Sequence, residues 1–246
     1  MALITFFFIL MVILYVWLHP AMQEEKREEK VEVEVEEVIV PRVSVPEKKA
    51  RFAETIVSPV NTVYTDLLQQ YFDVTESIQA DPLDSQLSAL KEEYRANDNR
   101  ELLMALKPHP RSIAIAQAAM ESSWATSRFF KEANNVFGVW SFSANEPRIP
   151  AREKRGDKTI WIKKYSSIED SVRDYYRTLA RGSAYKEFRE LKMKTDDPYQ
   201  LVKKLDHYSE KGAEYGRELA EIIHFNKFNR YDQPQTSPAG QKNDPH

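Results

Sequence analysis

The chain has 246 residues, of which 42% are hydrophobic and 30% are charged, and its formal net charge is −3. These values are typical of one globular domain with additional segments, and they exclude a collagen-like or wholly disordered chain. No cysteine is present, which excludes disulfide bonds, thiolate catalysis and cysteine-based metal sites. Residues 23–50 alone carry a net charge of −3, from 9 acidic and 6 basic residues. The remaining charges balance, so no basic excess indicates nucleic acid as a partner.

An apolar run, LITFFFILMVILYVWL, occupies residues 3–18. It is slightly shorter than the roughly 20 residues of a transmembrane helix, but uncharged residues on both sides extend it. A cleaved signal peptide would need a basic segment before the run and a small-x-small cleavage site after it, and neither is clear here. We therefore expect residues 1–22 to be an N-terminal membrane anchor, with a signal sequence as the alternative.

Residues 23–50 combine a charge run with alternating Val and Glu, in the string VEVEVEEVIV. A lone strand has no pairing partner, whereas repelling charges extend a chain, so we expect a disordered linker. The polar, proline-containing residues 233–246 are expected to form a disordered tail. This leaves 51–232 as the folded domain, with a helical extension over 51–108 and a core over 109–232.

Apolar residues recur at helical spacing in most of this domain. The predicted helical regions are 51–71, 82–106, 112–124, the segment that follows Ser166 and Ser167, 198–205 and 216–225. Pro59 predicts a break or a kink in the first of them. Between residues 141 and 164 the helical period is lost, with Pro147, Pro150 and Gly156 as interruptions, and residues 151–165 instead predict a small β-hairpin. The predicted fold class is α+β, mainly α.

The stretch 112–140, SIAIAQAAMESSWATSRFFKEANNVFGVW, contains the main candidate for catalysis. Its first half predicts a helix through Trp124, because one stripe holds Ile113, Ala116, Gln117, Met120 and Trp124. Glu121 lies beside this stripe. Burial without a cationic partner raises the pKa of a carboxyl group, as a general acid near neutral pH requires. The turn and the aromatic segment over 134–140 would complete one side of a cleft.

The strings AQAAMESSWATS and NNVFGVW resemble the signature of the glucosaminidase family, which cuts bacterial cell-wall glycan, and within it the Bax-like proteins of Gram-negative bacteria. Ser123 and Ala125 stand where family members commonly have glycine, which we interpret as slightly different helix packing. The resemblance implies a lysozyme-like helical domain with a small hairpin lobe. It also implies endo-β-N-acetylglucosaminidase activity on peptidoglycan strands, with Glu121 as the general acid, on the periplasmic side of the inner membrane.

The resemblance also implies a second carboxylate just before the turn of the hairpin. Glu153 is the nearest match, and Glu146 and Asp157 are its rivals. Tyr215 matches a family tyrosine that faces the acid, and Tyr208 is its partner in the motif. A phenol there can hydrogen-bond the acetamido group of the substrate or a developing charge, although a core tyrosine is the alternative.

Four further residues are expected to contact the sugar, with core packing as the alternative for each: Trp124, Asn135, Phe137 and Trp140. The five histidines lack the spacing of a metal site, and glycine motifs for phosphate and a nucleophilic serine elbow are absent from the sequence. We therefore expect no metal or cofactor, and we expect a monomer.

Two alternatives to a hydrolase remain. A lytic transglycosylase would use a single Glu and leave an anhydro-sugar, and such enzymes tend to carry a GLMQ-like string where this chain has NNVFGVW. A membrane-tethered peptidoglycan-binding module would keep the aromatic cleft without needing Glu121.

Overall fold

The computed structural model of the chain describes residues 43–155 and 158–233, with the backbone alone at 153–155 and 158. The expected anchor, most of the expected linker and most of the expected tail lie outside these residues. Among the helices of the described part, none combines the length and the apolar character needed to cross a membrane.

Helix α1 (Val45–Ala80) is the longest element and begins inside the expected linker. The Ser44 side chain accepts a hydrogen bond from the backbone amide of Glu47 at 3.3 Å, and a proline stands in the first turn. Both features favour a helix start. The expectation of disorder is therefore wrong for residues 45–50, where this local capping chemistry outweighs the charge pattern.

Of the break or kink predicted at Pro59, the break is wrong, because α1 continues through this residue, and the kink stays a prediction. Pro59 lies on the buried face of the helix, with Ile56 and Val60 on either side. Burial of this face against the core outweighs the one backbone hydrogen bond that proline removes.

The predicted helical region 82–106 contains two shorter helices, α2 (Ser85–Tyr94) and α3 (Asn99–Leu106). The side chains of Asp84 and Asp98 cap them by accepting backbone amide hydrogen bonds. Both helices pack with α1 around a second apolar cluster, which contains Val74, Leu87, Tyr94, Leu102, Ala105, Leu106 and Ala180.

Helix α4 (Arg111–Glu121) lies at the centre of the main core. All residues from 111 to 119 are buried, so the helix is covered on every side. It contacts α1, the last long helix α9 (Ala213–Phe225) and the 3-10 segment Phe228–Tyr231. The residue at its C-terminal end is Glu121.

The remaining helices surround this centre. They are α5 (Arg128–Ala133), α6 (Ile168–Arg181), α7 (Lys186–Lys192) and α8 (Pro198–Leu201), with 3-10 segments at Ser183–Tyr185 and Val202–Lys204. The Ser167 hydroxyl accepts from the backbone amide of Asp170 at 3.1 Å, which confirms the predicted start of α6. The sequence pattern did not predict α5 or α7.

Strands β1 (Arg148–Arg155) and β2 (Lys158–Lys163) form the predicted antiparallel hairpin. Pro150 pairs with Trp161, and the register shifts between Pro150 and Lys154. A β-bridge joins Trp140 to Ile162 and attaches the preceding segment to β2. The predicted α+β, mainly helical fold class with a small hairpin is confirmed.

Candidate active site

Glu121 is the point at which α4 leaves the core, and it is half-buried. The helix ends there because the next residues form a left-handed turn, with φ of 52°, 63° and 61° at Ser123, Trp124 and Ala125. The buried Ser122 hydroxyl holds this turn by donating to the Ala118 carbonyl at 2.5 Å and accepting from the Ala125 amide at 2.8 Å. The predicted continuation of the helix through Trp124 is therefore wrong.

The same turn corrects the interpretation of Ser123 and Ala125. Both residues have a positive φ, a conformation that is open to glycine without steric cost but is unfavourable for residues with a side chain. The left-handed backbone, and not helix packing, is what would favour glycine at these two positions.

The carboxylate of Glu121 receives a hydrogen bond from Tyr215, whose Oη donates to Oε1 at 2.8 Å. Tyr215 is buried in the first turn of α9. Its Oη also accepts from Nε2 of Gln117 at 2.9 Å, and Gln117 lies one turn before Glu121 on α4. Two helices therefore position the carboxyl group and its donor.

Burial raises the pKa of Glu121 above its ordinary value, and this is the largest effect on the group. The hydrogen bond from Tyr215 and the positive charge of Lys211 act in the opposite direction. Lys211 is itself held by Glu218, because its Nζ lies 2.7 Å from each carboxylate oxygen of that residue. A carboxyl group with this balance stays protonated to a higher pH than a solvated one, as a general acid does.

Tyr208 lies beside this pair. Its ring stacks on that of Tyr215, with centroids 5.4 Å apart and planes 15° apart. Burial and the nearby charge of Glu121 raise the pKa of the Tyr208 phenol well above its ordinary value. The structure thus brings Glu121, Tyr215 and Tyr208 together, as the resemblance implied.

Two of the expected aromatic contacts pack against or within the core, Trp124 half-buried and Phe137 buried. Trp124 meets Phe52 of α1 edge to face at 5.2 Å, and Nζ of Lys49 lies 4.9 Å from the centre of its ring. Phe137 is buried and stacks on Tyr175 at 4.0 Å. Sugar binding by Trp124 and Phe137 stays a prediction.

Asn135 is buried, and its amide bonds backbone groups on two segments. Nδ2 donates to the carbonyls of Val139 at 3.0 Å and Lys163 at 2.9 Å, while Oδ1 accepts from the Val139 amide at 2.9 Å. These bonds close the turn after α5 and attach it to β2. Contact with a sugar stays a prediction here as well.

Trp140 differs from these residues because 41% of it is exposed. Phe142, which the sequence pattern did not identify, is 88% exposed, and the two ring centres are 6.4 Å apart. Trp140 lines a surface cavity of about 360 Å³ together with Arg128 and Arg152. Exposed aromatic faces next to cationic groups can bind sugar rings and acidic substituents.

Of the three candidates for a second carboxylate, Glu146 is the one whose side chain the structure describes. Its Oε1 accepts from the Ser141 hydroxyl at 2.6 Å, and its Oε2 lies 3.8 Å from Nζ of Lys163. These contacts, the Ser141 bond above all, lower the pKa of Glu146. Glu153 lies in β1 with its side chain outside the described part, and Asp157 is outside it entirely.

Within the part of the chain that the structure describes, no group of three or more His, Asp or Glu side chains could hold a metal ion. The chemistry that this site offers is proton transfer and hydrogen bonding by Glu121 and the neighbouring phenols.

Comparison with known families decides the affiliation of the chain. Residues 96–229 match the profile of the glucosaminidase family, described as mannosyl-glycoprotein endo-β-N-acetylglucosaminidase, and make up more than half of the 246 residues. The chain belongs to the glucosaminidase family. The matched segment contains α4, the hairpin and α9, and therefore Glu121, Tyr208 and Tyr215.

Individual relatives match this glucosaminidase-family chain over shorter spans. Protein bax of Escherichia coli K12 is 29% identical over 116 residues, which are 45% of this chain and 40% of that protein. Exo-glucosaminidase LytG of Bacillus subtilis 168 is 37% identical over 79 residues, 30% of this chain and 28% of that protein. The chain thus spans less than half the length of these curated relatives.

Among solved structures, the catalytic domain of the autolysin Auto from Listeria monocytogenes is similar, with a TM-score of 0.46 and 21% identity. The alignment covers 78% of this chain and 92% of that one.

Some neighbours of the acid in this glucosaminidase-family protein were missed at the sequence level. The sequence pattern places Gln117 on a buried stripe. A glutamine inside an apolar helix needs polar partners, so this residue type already indicates hydrogen bonds in the core. Tyr175 bonds Gln117 across 58 residues of sequence, and no local pattern indicates such a contact. Lys211 lies in a loop with no periodicity.

Proposed function

We propose that this chain is a peptidoglycan hydrolase, an endo-β-N-acetylglucosaminidase in which Glu121 is the general acid. The observation that carries the proposal is the half-buried carboxyl group of Glu121 at the end of α4, with a raised pKa and a phenol donor at 2.8 Å. Membership of the glucosaminidase family supports glycosidic chemistry at this site. The name of LytG, an exo-glucosaminidase, supports N-acetylglucosamine as the recognised sugar.

In the proposed reaction, protonated Glu121 gives its proton to the oxygen of the glycosidic bond. That bond breaks as its electron pair moves to the oxygen, and positive charge develops on the sugar ring. Glu121 then becomes a carboxylate, which the hydroxyl of Tyr215 and the charge of Lys211 stabilise. The raised pKa keeps the proton available near neutral pH.

Two routes complete the hydrolysis. Glu153 can activate water on the opposite face of the ring, which inverts the anomeric centre and requires a separation of roughly 6.5–9.5 Å between the two carboxyl groups. Alternatively, the carbonyl oxygen of the substrate's N-acetyl group attacks the anomeric carbon first, with Tyr215 steadying that group, and water then opens the ring that this bond has closed. The configuration of the fresh product distinguishes these routes, because the second route retains it.

The decisive experiment compares Glu121→Gln with Glu221→Gln, a change at an exposed glutamate on α9. Both proteins are incubated with purified sacculi, and released reducing ends are counted. We expect Glu121→Gln to lose at least about 100-fold in rate while Glu221→Gln keeps full activity. Unchanged circular dichroism would show that the loss is chemical, and full activity of Glu121→Gln would refute the assignment.

Mass spectrometry of the products tests the bond that is cut. Reducing N-acetylglucosamine ends support the proposal, whereas anhydromuramic ends would identify a lytic transglycosylase. Binding to sacculi without any product would identify a peptidoglycan-binding module.

We also propose that the apolar run over 3–18 anchors the protein in the inner membrane, with the catalytic domain a monomer on the periplasmic side. The composition of that run supports the anchor, and a peptidoglycan substrate supports the location. Cell fractionation with alkaline carbonate tests this. Release of the full-length protein into the soluble fraction would contradict the anchor.

A further inference from the structure

Four side chains form a continuous chain of hydrogen bonds from the core to Glu121. Tyr175 on α6 donates from Oη to Oε1 of Gln117 at 2.5 Å. Gln117 donates from Nε2 to Oη of Tyr215 at 2.9 Å, and Tyr215 donates to Oε1 of Glu121 at 2.8 Å. The first three residues are buried, whereas Glu121 is half-buried.

The direction of this chain depends on Tyr175. A phenol has one proton to donate, and a glutamine amide has an acceptor oxygen at one end and a donor nitrogen at the other. Because the Tyr175 proton points at Oε1 of Gln117, Nε2 faces Tyr215. Tyr215 then accepts from Gln117, and its own proton is left for Glu121. If the amide turned around, Oε1 would compete with Glu121 for that proton.

We propose that Tyr175 and Gln117 are positioning residues that keep the hydroxyl of Tyr215 a donor to Glu121. The inference rests on the proposed function for one point only, namely that the hydrogen bond from Tyr215 to Glu121 affects catalysis. Neither residue contacts Glu121 through a hydrogen bond of its own, so both act through Tyr215.

The surroundings of Tyr175 suit this task. Its ring is 1% exposed and stacks on Phe137, with centroids 4.0 Å apart and planes 8° apart. Tyr176 and His109 meet it edge to face at 5.4 Å and 5.5 Å. These contacts fix the position of the hydroxyl and exclude water that could substitute for it. A buried network that is fully bonded has one stable orientation.

The direction of these hydrogen bonds stabilises the carboxylate form of Glu121. It therefore opposes the effect of burial on the pKa of this group. The other groups that face Glu121 are Tyr208, which stacks on Tyr215, and the cation Lys211. Lys211 is bonded to Glu218, and a change at Tyr175 leaves that pair intact. The Tyr208 ring also meets the Tyr175 ring edge to face, with centroids 6.4 Å apart, and Tyr175→Phe keeps that ring. An altered pKa of Glu121 after this substitution therefore reports on the chain of hydrogen bonds.

Tyr175→Phe removes the hydroxyl that orients the amide, and Tyr176→Phe is its matched control. Tyr176 is the next residue on α6 and is equally buried, but its hydroxyl donates to the His109 carbonyl at 3.4 Å. The pKa of the Glu121 carboxyl is measured by ¹³C NMR on glutamate-labelled protein, with Glu121→Gln identifying its signal. We expect Tyr175→Phe to raise this pKa by up to roughly 1 pH unit, because Glu121 loses part of its donor. Tyr176→Phe should leave it unchanged.

A second pair of variants tests whether the effect passes through Tyr215. Tyr215→Phe removes the donor and should raise the pKa of Glu121 at least as much as Tyr175→Phe. Adding Tyr175→Phe to Tyr215→Phe should then have no further effect, because the two residues act in series. Gln117→Glu offers acceptors to both phenols and serves if Tyr175→Phe folds poorly, but its own charge also raises the pKa of Glu121. Only the part of the rise that disappears when Tyr215 is already Phe therefore counts for the proposal.

The proposal is overturned if Tyr175→Phe leaves the pKa of Glu121 unchanged, or raises it equally when Tyr215 is already Phe. The NMR measurement needs no substrate, so it is independent of hydrolysis. If the pKa of Glu121 is raised as expected but the natural protein cannot cut sacculi, the proposed function is contradicted and the positioning role is still supported. In an active hydrolase, the alkaline limb of the pH profile should move upward with the pKa.

Discussion

Glu121 at the end of α4 and Glu146 before β1 are the same kind of side chain in contrasting environments. Burial raises the pKa of Glu121, and its donor is a phenol from the core. The pKa of Glu146 is lowered, because the Ser141 hydroxyl and Lys163 favour its charged form. The difference teaches that the surrounding elements, and not the residue type, decide which carboxyl group keeps a proton near neutral pH.

The contrast extends to the regions around the two residues. Glu121 lies at the end of the buried helix α4, and its donor Tyr215 belongs to a chain of hydrogen bonds that reaches into the core. Glu146 belongs to a surface cluster in which Lys163 also contacts Asp174 at 3.1 Å, and Asp174 accepts from Tyr165 at 2.7 Å. The helical side therefore fixes one acid rigidly, while the hairpin side offers charged and aromatic groups to solvent.

The largest expected difference between the two regions is in stability. Phe137→Ala removes a ring that stacks in the core and should lower the free energy of unfolding by about 3–5 kcal/mol. Phe142→Ala removes an exposed ring and should lower it by less than about 0.5 kcal/mol, while weakening binding to sacculi. Urea denaturation and sedimentation with sacculi measure the two effects. Equal losses of stability would show that the hairpin side is also part of the core.

The second prediction concerns the carboxylate that would activate water in the inverting route. Glu153→Gln should lower the hydrolysis rate by about 100-fold or more if Glu153 activates water. Glu146→Gln should cost less than about 5-fold, because Gln keeps the acceptor for Ser141 and Lys163 keeps Asp174. Initial rates on sacculi measure both. The reverse order would make Glu146 the base, and no loss in either would favour the N-acetyl route.

A smaller effect is expected in the turn that ends α4. Ser123→Gly should raise the free energy of unfolding by about 0.5 kcal/mol, because relief of the left-handed strain exceeds the entropy of the glycine. Ala220→Gly, within the right-handed helix α9, should lower it by about 1 kcal/mol. Guanidinium denaturation of the two variants measures this pair, and a loss of stability in both would mean that the turn is unstrained.

The smallest expected effect is on the pH dependence of stability, to which Glu121 and Glu146 should contribute with opposite signs. The raised pKa of Glu121 means that the folded state holds this proton more tightly than the unfolded state, so its contribution is present at low pH and lost as pH rises. Glu121→Gln should therefore gain stability over the natural protein as the pH rises above the ordinary titration range of a glutamate, by no more than about 3 °C in Tm.

The contribution of Glu146 to the pH dependence has the opposite sign. Because its pKa is lowered in the folded state, Glu146 stabilises that state at pH values above the ordinary pKa of a glutamate, and this stabilisation is lost as pH falls. Glu146→Gln should therefore be the less stable protein at neutral pH, with the gap closing in acid. Thermal melts from about pH 3 to pH 8 compare both variants, and gaps of the same sign would contradict the environments described.

Local patterns predicted α4, the hairpin and the start of α6, because capping residues and periodicity act within a few residues. They did not predict α5, which at 6 residues is too short to show a period. They also missed the end of α4, where the Ser122 hydroxyl stabilises a turn that periodicity does not report. The hydrogen-bond donor to Glu121 comes from α9, and the chain of hydrogen bonds that leads to it begins on α6. Only the family resemblance brought Tyr215 to the acid in advance.

The long first helix has a consequence for how the family segment can be studied. Phe52, Ile56, Val60 and Val63 of α1 are fully buried in the same core as α4, and Phe52 supports Trp124, three residues after the acid. The family match begins only at residue 96. A shortened protein that starts there would leave the apolar side of α4 open to water, so we expect that the matched segment alone does not fold stably.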